Sequence, residues 1–137
     1  MSATENRKLV EDIFAGLEKG DGGPFVRSLA DDFCWTIIGN TAWSGTYRGK
    51  AAVRRELLDP LFAQFADQYV NRLVGLIAEG DRVAVECRGR VTTTEGKTYA
   101  NTYCWVCRIE NGKLTELIEY MDTAHMNEAL QPPQVAA

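Results

Sequence analysis

Histidine is almost missing from this chain, with one among 137 residues. A single imidazole is too few for an ordinary histidine-based metal centre, so no metal and no cofactor are expected. Positive charge is in short supply as well. Lys and Arg number 15 against 19 Asp and Glu, the net charge is −4, and no basic cluster stands out. A mildly acidic surface repels phosphate backbones, which argues against a nucleic-acid partner. No apolar run approaches the roughly 20 residues that span a bilayer, so no membrane partner is expected. The first residues, Met1 to Lys8, are polar and lack the apolar stretch of a signal peptide. A cytoplasmic location follows as an expectation.

Cysteine is present at 34, 87, 104 and 107, yet the pattern points away from chemistry. Cys104-Trp105-Val106-Cys107 has the spacing of metal and redox pairs. Its neighbours read as a strand, where residues three apart point to opposite faces. The thiols are therefore expected to be reduced and to fill space.

What is there describes one domain. A chain of this length fits a single core, and residues 1–130 are assigned to it, with 131–137 as a loose tail. Ser2-Ala3-Thr4-Glu5 matches a capping box, and Leu9, Val10, Ile13, Phe14 and Leu17 follow on one helical face. Pro24 opens a short second helix that ends near Ala30. Residues 33–38 read as a strand, and 39–45 as an excursion containing Trp43. A third helix begins after Gly49, with Pro60 interrupting it. Four strand-like runs then follow, roughly 69–79, 82–94, 97–109 and 113–122, joined by Gly-containing turns. Asn111-Gly112 is the strongest hairpin signal among them. Helices first and an antiparallel meander afterwards predict an α+β fold. Three N-terminal helices would pack on a strongly curved antiparallel sheet, a cone-shaped roll enclosing one pocket.

Alternation assigns the faces. In the second run Val83, Val85, Cys87, Gly89 and Val91 form the apolar set and should face the helices. In the third, Tyr99, Asn101, Tyr103, Trp105, Cys107 and Ile109 are the inward set. Its even set, Ala100, Thr102, Cys104 and Val106, is not clearly polar. The helices cover only one side, so a homodimer through the outer sheet face is expected. In the last run Ile118, Tyr120 and Asp122 alternate with Leu117, Glu119 and Met121. The first set carries charge only at its end and is expected to point inward. Gly89 is expected to permit a sharp bend.

The order of several stretches resembles the nuclear transport factor 2-like, or cystatin-like, superfamily, including ketosteroid isomerase and SnoaL-like polyketide cyclases. These are residues 15–21 (AGLEKGD), 29–33 (LADDF), 47–53 (YRGKAAV), 108–114 (RIENGKL) and 119–122 (EYMD). The resemblance implies the cone fold from about Leu9 to about Leu130. It leaves function open, because the scaffold hosts unrelated chemistries. Ketosteroid isomerase combines an Asp base with a Tyr and a protonated Asp. Those positions fall at Ile37, at Ile13 or Phe14, and at Cys104 or Trp105, so its mechanism is not implied. The Asp–Arg–Asp set of limonene epoxide hydrolase falls at Gly89, Cys87 and Asp122. An Asp near the end of the last strand in the polyketide cyclases also matches Asp122.

Two readings follow. One is a cofactor-independent enzyme of isomerase, cyclase or hydrolase type, acting on a small apolar molecule with Asp122 as acid/base. Tyr103, Asn101, Tyr120, Trp35, Trp105, Ile37 and Phe14 would line its pocket, with Trp43 in the wall and a phenol or amide holding a substrate oxygen. The alternative is a non-catalytic ligand-binding or dimeric interaction module. Asp122 also suits an N-cap for a closing helix over 123–129.

Overall fold

A computed structural model describes residues 2–135. The long first helix α1 (Ala3–Leu17) starts where the capping box requires: Ser2 accepts from the Glu5 N–H and the Glu5 side chain returns a bond to the Ser2 N–H. Its Val10, Ile13 and Phe14 are buried. Next comes α2 (Gly23–Arg27), with Pro24 in its first turn and Phe25 buried. The chain leaves the helix earlier than the sequence suggests, because strand β1 already runs from Leu29 to Ile37. Just after the expected excursion, Gly45–Arg48 forms a short strand, β2, paired antiparallel to β1.

The third helical region is three segments in sequence: α3 (Lys50–Ala52), π-helical turns over Val53–Leu58, and α4 (Asp59–Phe62). The widening has a local cause. Pro60 has no N–H to give the carbonyl four residues back, and the Asp59 N–H reaches five residues back to Arg54 instead.

Strands β3 (Val70–Glu79), β4 (Arg82–Thr92), β5 (Thr98–Glu110) and β6 (Lys113–Tyr120) form the expected antiparallel meander. At the β5–β6 turn both Asn111 (φ 51°) and Gly112 (φ 75°) occupy the left-handed region that such a hairpin demands. The sheet has six strands in the order β2-β1-β6-β5-β4-β3. It is mixed rather than wholly antiparallel, since β1 lies parallel to β6. A chain entering β1 from α2 and leaving through β2 brings its strand to the free edge of β6 in that direction. Helix α5 (Thr123–Ala129) closes the chain.

The core lies between the helices and the inward face of the sheet. Val83, Val85, Cys87, Tyr99, Tyr103, Trp105 and Cys107 are all buried, as alternation predicts. Cys104 is exposed and Cys107 buried, so the C-x-x-C pair is split across the sheet. The tail is not loose at its start. The Gln131 carbonyl accepts from Trp43 Nε1 (3.0 Å) and from the Gln64 amide (2.9 Å). Its last two positions, 136 and 137, lie outside the described residues. Trp43 is therefore a buried anchor for the segment before β2 rather than pocket wall. No helix among the described residues is long and apolar enough to cross a membrane.

Candidate functional site

Between α2, the π-helical turns with α4, and the inward face of β1, β5 and β6 lies a cavity of about 110 Å³. Its lining is almost wholly apolar, from Leu57, Leu61 and Phe62 on the helical side to Ile37, Trp35 and Trp105 on the sheet. Edge-to-face packing of Trp35 on Trp105 (centroids 6.0 Å, 73°) and of Phe25 on Trp35 (5.6 Å, 63°) fixes that wall.

One carboxyl points into this apolar space, and it belongs to Glu119 on β6. Its residue is 7% exposed. Trp105 Nε1 donates to its Oε2 at 2.7 Å. The Trp35 indole N–H also comes near this carboxyl but misses hydrogen-bond geometry, and it is buried with no other partner. Burial pushes the Glu119 carboxyl from its ordinary 4.5 up to about 7, against the pull of the two indoles. Near pH 7 the group is thus divided between acid and base forms, where proton transfer in both directions is most effective.

A second polar pole faces the same cavity. Tyr69, Tyr103 and Tyr99 line it. Their hydroxyls form a chain: Tyr69 donates to Tyr103 (3.4 Å), and Tyr103 donates to Tyr99 (3.2 Å). Burial raises the Tyr99 phenol to about 12, so it stays protonated at neutral pH. Gly89 makes room for this chain. A Cβ there would lie 2.1 Å from the Tyr69 hydroxyl, so the glycine serves close approach.

The sequence-predicted residues divide. Trp35, Ile37, Tyr103 and Trp105 line the cavity. Phe14 lies outside that lining, buried in tilted contact with Trp105 at 5.3 Å. Asn101 is buried but turned to the end of β6. It accepts from the Asp122 N–H (3.1 Å), and its amide donates to the Asp122 carbonyl (3.0 Å) and the Tyr99 hydroxyl (3.3 Å). Tyr120 is 44% exposed, on the outer face.

Asp122 is not in the cavity. It is exposed, and its carboxylate accepts from the His125 N–H (3.2 Å) as the N-cap of α5. The expected inward set of β6 is reversed: Leu117 and Glu119 are buried, while Tyr120 and Asp122 face out. The cause is a slip in the β5–β6 ladder. Ile109 pairs with Leu114, whereas Arg108 pairs with Glu116. That extra residue shifts parity after Leu114, so Leu114 and Leu117 are both buried. Glu119 then lies opposite Trp105. The available signal was Leu117, an apolar side chain of the same parity as Glu119.

Residues 10–117 match the SnoaL-like domain, and the chain belongs to that family. No curated protein matches it. Among solved structures it is similar to a nuclear transport factor 2-like protein of unknown function from Burkholderia pseudomallei K96243. The identity is 23%, the TM-score 0.80, and the match covers 93% of this chain and 98% of that one. It is also similar to TerC, co-crystallised with polyporic acid, at 22% identity and TM-score 0.77, covering 91% and 97%. A protein from Jannaschia sp. CCS1, described as a SnoaL-like polyketide cyclase, is 16% identical with a TM-score of 0.74, covering 96% and 94%. At these identities the likeness is one of fold.

Proposed function

We propose that this protein is a cofactor-independent acid–base enzyme acting on a small, apolar, oxygen-bearing ring compound, with Glu119 in the role that the sequence suggests for Asp122. The observation that carries the reading is one carboxyl in an apolar cavity, held near pKa 7 and hydrogen-bonded by an indole. As a carboxylate, Glu119 takes a proton from a carbon next to a substrate carbonyl. The enolate oxygen is met by the phenol pole, and the carboxylic acid then returns the proton to the same or another carbon. This is the chemistry shared by isomerisation and cyclisation. A relative described as a polyketide cyclase and another crystallised with polyporic acid support an oxygenated ligand. Engineered cavities of about 150 Å³ admit benzene, so a cavity of about 110 Å³ suits one ring rather than a fused steroid. Ile37 on its wall offers no base in the isomerase position, and turnover of a 3-oxo-Δ5-steroid is not expected.

Hydrogen–deuterium exchange at the methyl group of acetophenone in D2O, followed by proton NMR, tests the reading. Wild-type protein should accelerate the exchange and Glu119→Gln should return it to background. Equal rates in the two proteins would sink it. The non-catalytic binding module is the reading that Asp122, exposed at the cap, would favour if the cavity held no other acid.

The outer sheet face is the proposed site of self-association. Ala100, Thr102, Cys104 and Tyr120 are exposed there and Val106 is half-buried. Light scattering should return twice the chain mass at micromolar concentration. The four unpaired thiols suit a reducing compartment, and a cytoplasmic location goes with this reading.

A further inference from the structure

The phenol chain holds a proton that the protein itself does not use well. Three hydroxyls and two amides meet in four contacts: Asn71 to Tyr69, Tyr69 to Tyr103, Tyr103 to Tyr99, and Asn101 to Tyr99. Each contact consumes one proton. The amide nitrogens can only donate, so they supply two of the four. The hydroxyls own three protons and the two phenol–phenol contacts consume two. One hydroxyl proton is left over.

Direction places the surplus. The Asn101 amide cannot turn, because its oxygen accepts from the Asp122 N–H while its nitrogen donates to the Asp122 carbonyl. Tyr99 therefore accepts from Asn101, and it accepts from Tyr103 as well. Its own proton is directed at the Met121 sulfur, 4.0 Å away. A thioether is a weak acceptor, and Tyr99 is 2% exposed, with no bulk water to replace it. Both Tyr99 and Met121 line the cavity.

We infer that Tyr99 is the specificity-determining donor of this cavity, and that it selects ligands carrying an accepting oxygen, such as a ketone, over hydrocarbons of the same shape. A carbonyl oxygen entering the cavity displaces the thioether and completes the bond that the chain lacks. Tyr69 and Tyr103 are positioning residues that fix the direction of that proton. The inference rests on the cavity being the ligand site, as proposed above, but not on Glu119 performing chemistry.

Equilibrium binding of acetophenone and of ethylbenzene, which differ chiefly by the oxygen, tests it. Tyr99→Phe should weaken acetophenone binding about tenfold, the value of one good hydrogen bond. Ethylbenzene should change by less than about twofold on the same scale. Equal losses for both probes would reduce Tyr99 to packing and overturn the inference, as would failure of wild type to bind acetophenone at millimolar concentration. The infrared carbonyl stretch of bound acetophenone, read on wild type and on Tyr103→Phe, needs no Tyr99 variant to fold. It should move to lower frequency in wild type and by less in Tyr103→Phe, where the Tyr99 proton is no longer held in one direction; an unshifted band in wild type overturns the inference. Binding that depends on Tyr99 without any Glu119-dependent exchange would defeat the proposed catalysis and leave this inference standing.

Discussion

Glu119 and Asp122 are carboxylates three positions apart at the end of one strand, and they live under opposite physics. Glu119 sits on the inward face among indoles, where loss of water pushes its pKa up to about 7. Asp122 has stepped off the strand into solvent, where its oxygen satisfies the first turn of a seven-residue helix. A residue type says little about acid–base function. Desolvation and hydrogen-bond geometry decide it, and here a ladder slip of one residue decides which carboxylate receives which environment.

The largest expected contrast is catalytic. Glu119→Gln should slow acetophenone exchange by about 10²-fold or more, the usual worth of a positioned acid or base. Asp122→Asn, which preserves the cap, should change it less than about twofold on that same comparison. The reverse pattern would break the assignment.

Stability should move in the opposite direction to activity. The folded pKa of Glu119 lies above its unfolded value of 4.5, so the fold favours the neutral acid. That contribution is complete below pH 4.5 and is lost as pH rises through about 7. Glutamine never ionises and keeps an oxygen for the Trp105 N–H. Glu119→Gln should therefore gain on wild type between those two pH values, reaching about 3 kcal/mol above pH 8. Urea melts at pH 4 and pH 8 measure it, and a constant difference between the proteins would refute the burial argument.

A third effect tests the phenol pole. Gly89→Ala should cost about 2 kcal/mol, because the new methyl displaces the Tyr69 hydroxyl. It should also disturb the tyrosine resonances in NMR spectra while leaving Asp122 and α5 unchanged. Smallest is the cap itself: Asp122→Ala should cost about 1 kcal/mol and Asp122→Asn almost nothing. Thermal melts read both, and equal costs would mean that the side chain caps nothing.

Much of the fold was legible because it rests on local rules. The capping box at Ser2, the Asn111-Gly112 turn and the alternation in β4 and β5 each depend on residues close in sequence. So did the cavity wall at Trp35, Ile37, Tyr103 and Trp105. Failures occurred where pairing partners decide. β2 is four residues long and exists because β1 lies beside it. The parallel β1–β6 contact joins residues far apart in the chain, such as Trp35 and Leu117. Tyr99 and Tyr69 carry no motif, and their hydroxyls meet only through Tyr103.

The sequence by itself determined an α+β domain with an apolar, aromatic interior, since periodicity and turn chemistry are properties of neighbouring residues. It also places two carboxylates, Glu119 and Asp122, at the end of the last strand. Which of the two carboxylates faces inward was decided only by the tertiary structure. Strand parity is fixed by register against β5, and a one-residue slip exchanges the faces of everything beyond it.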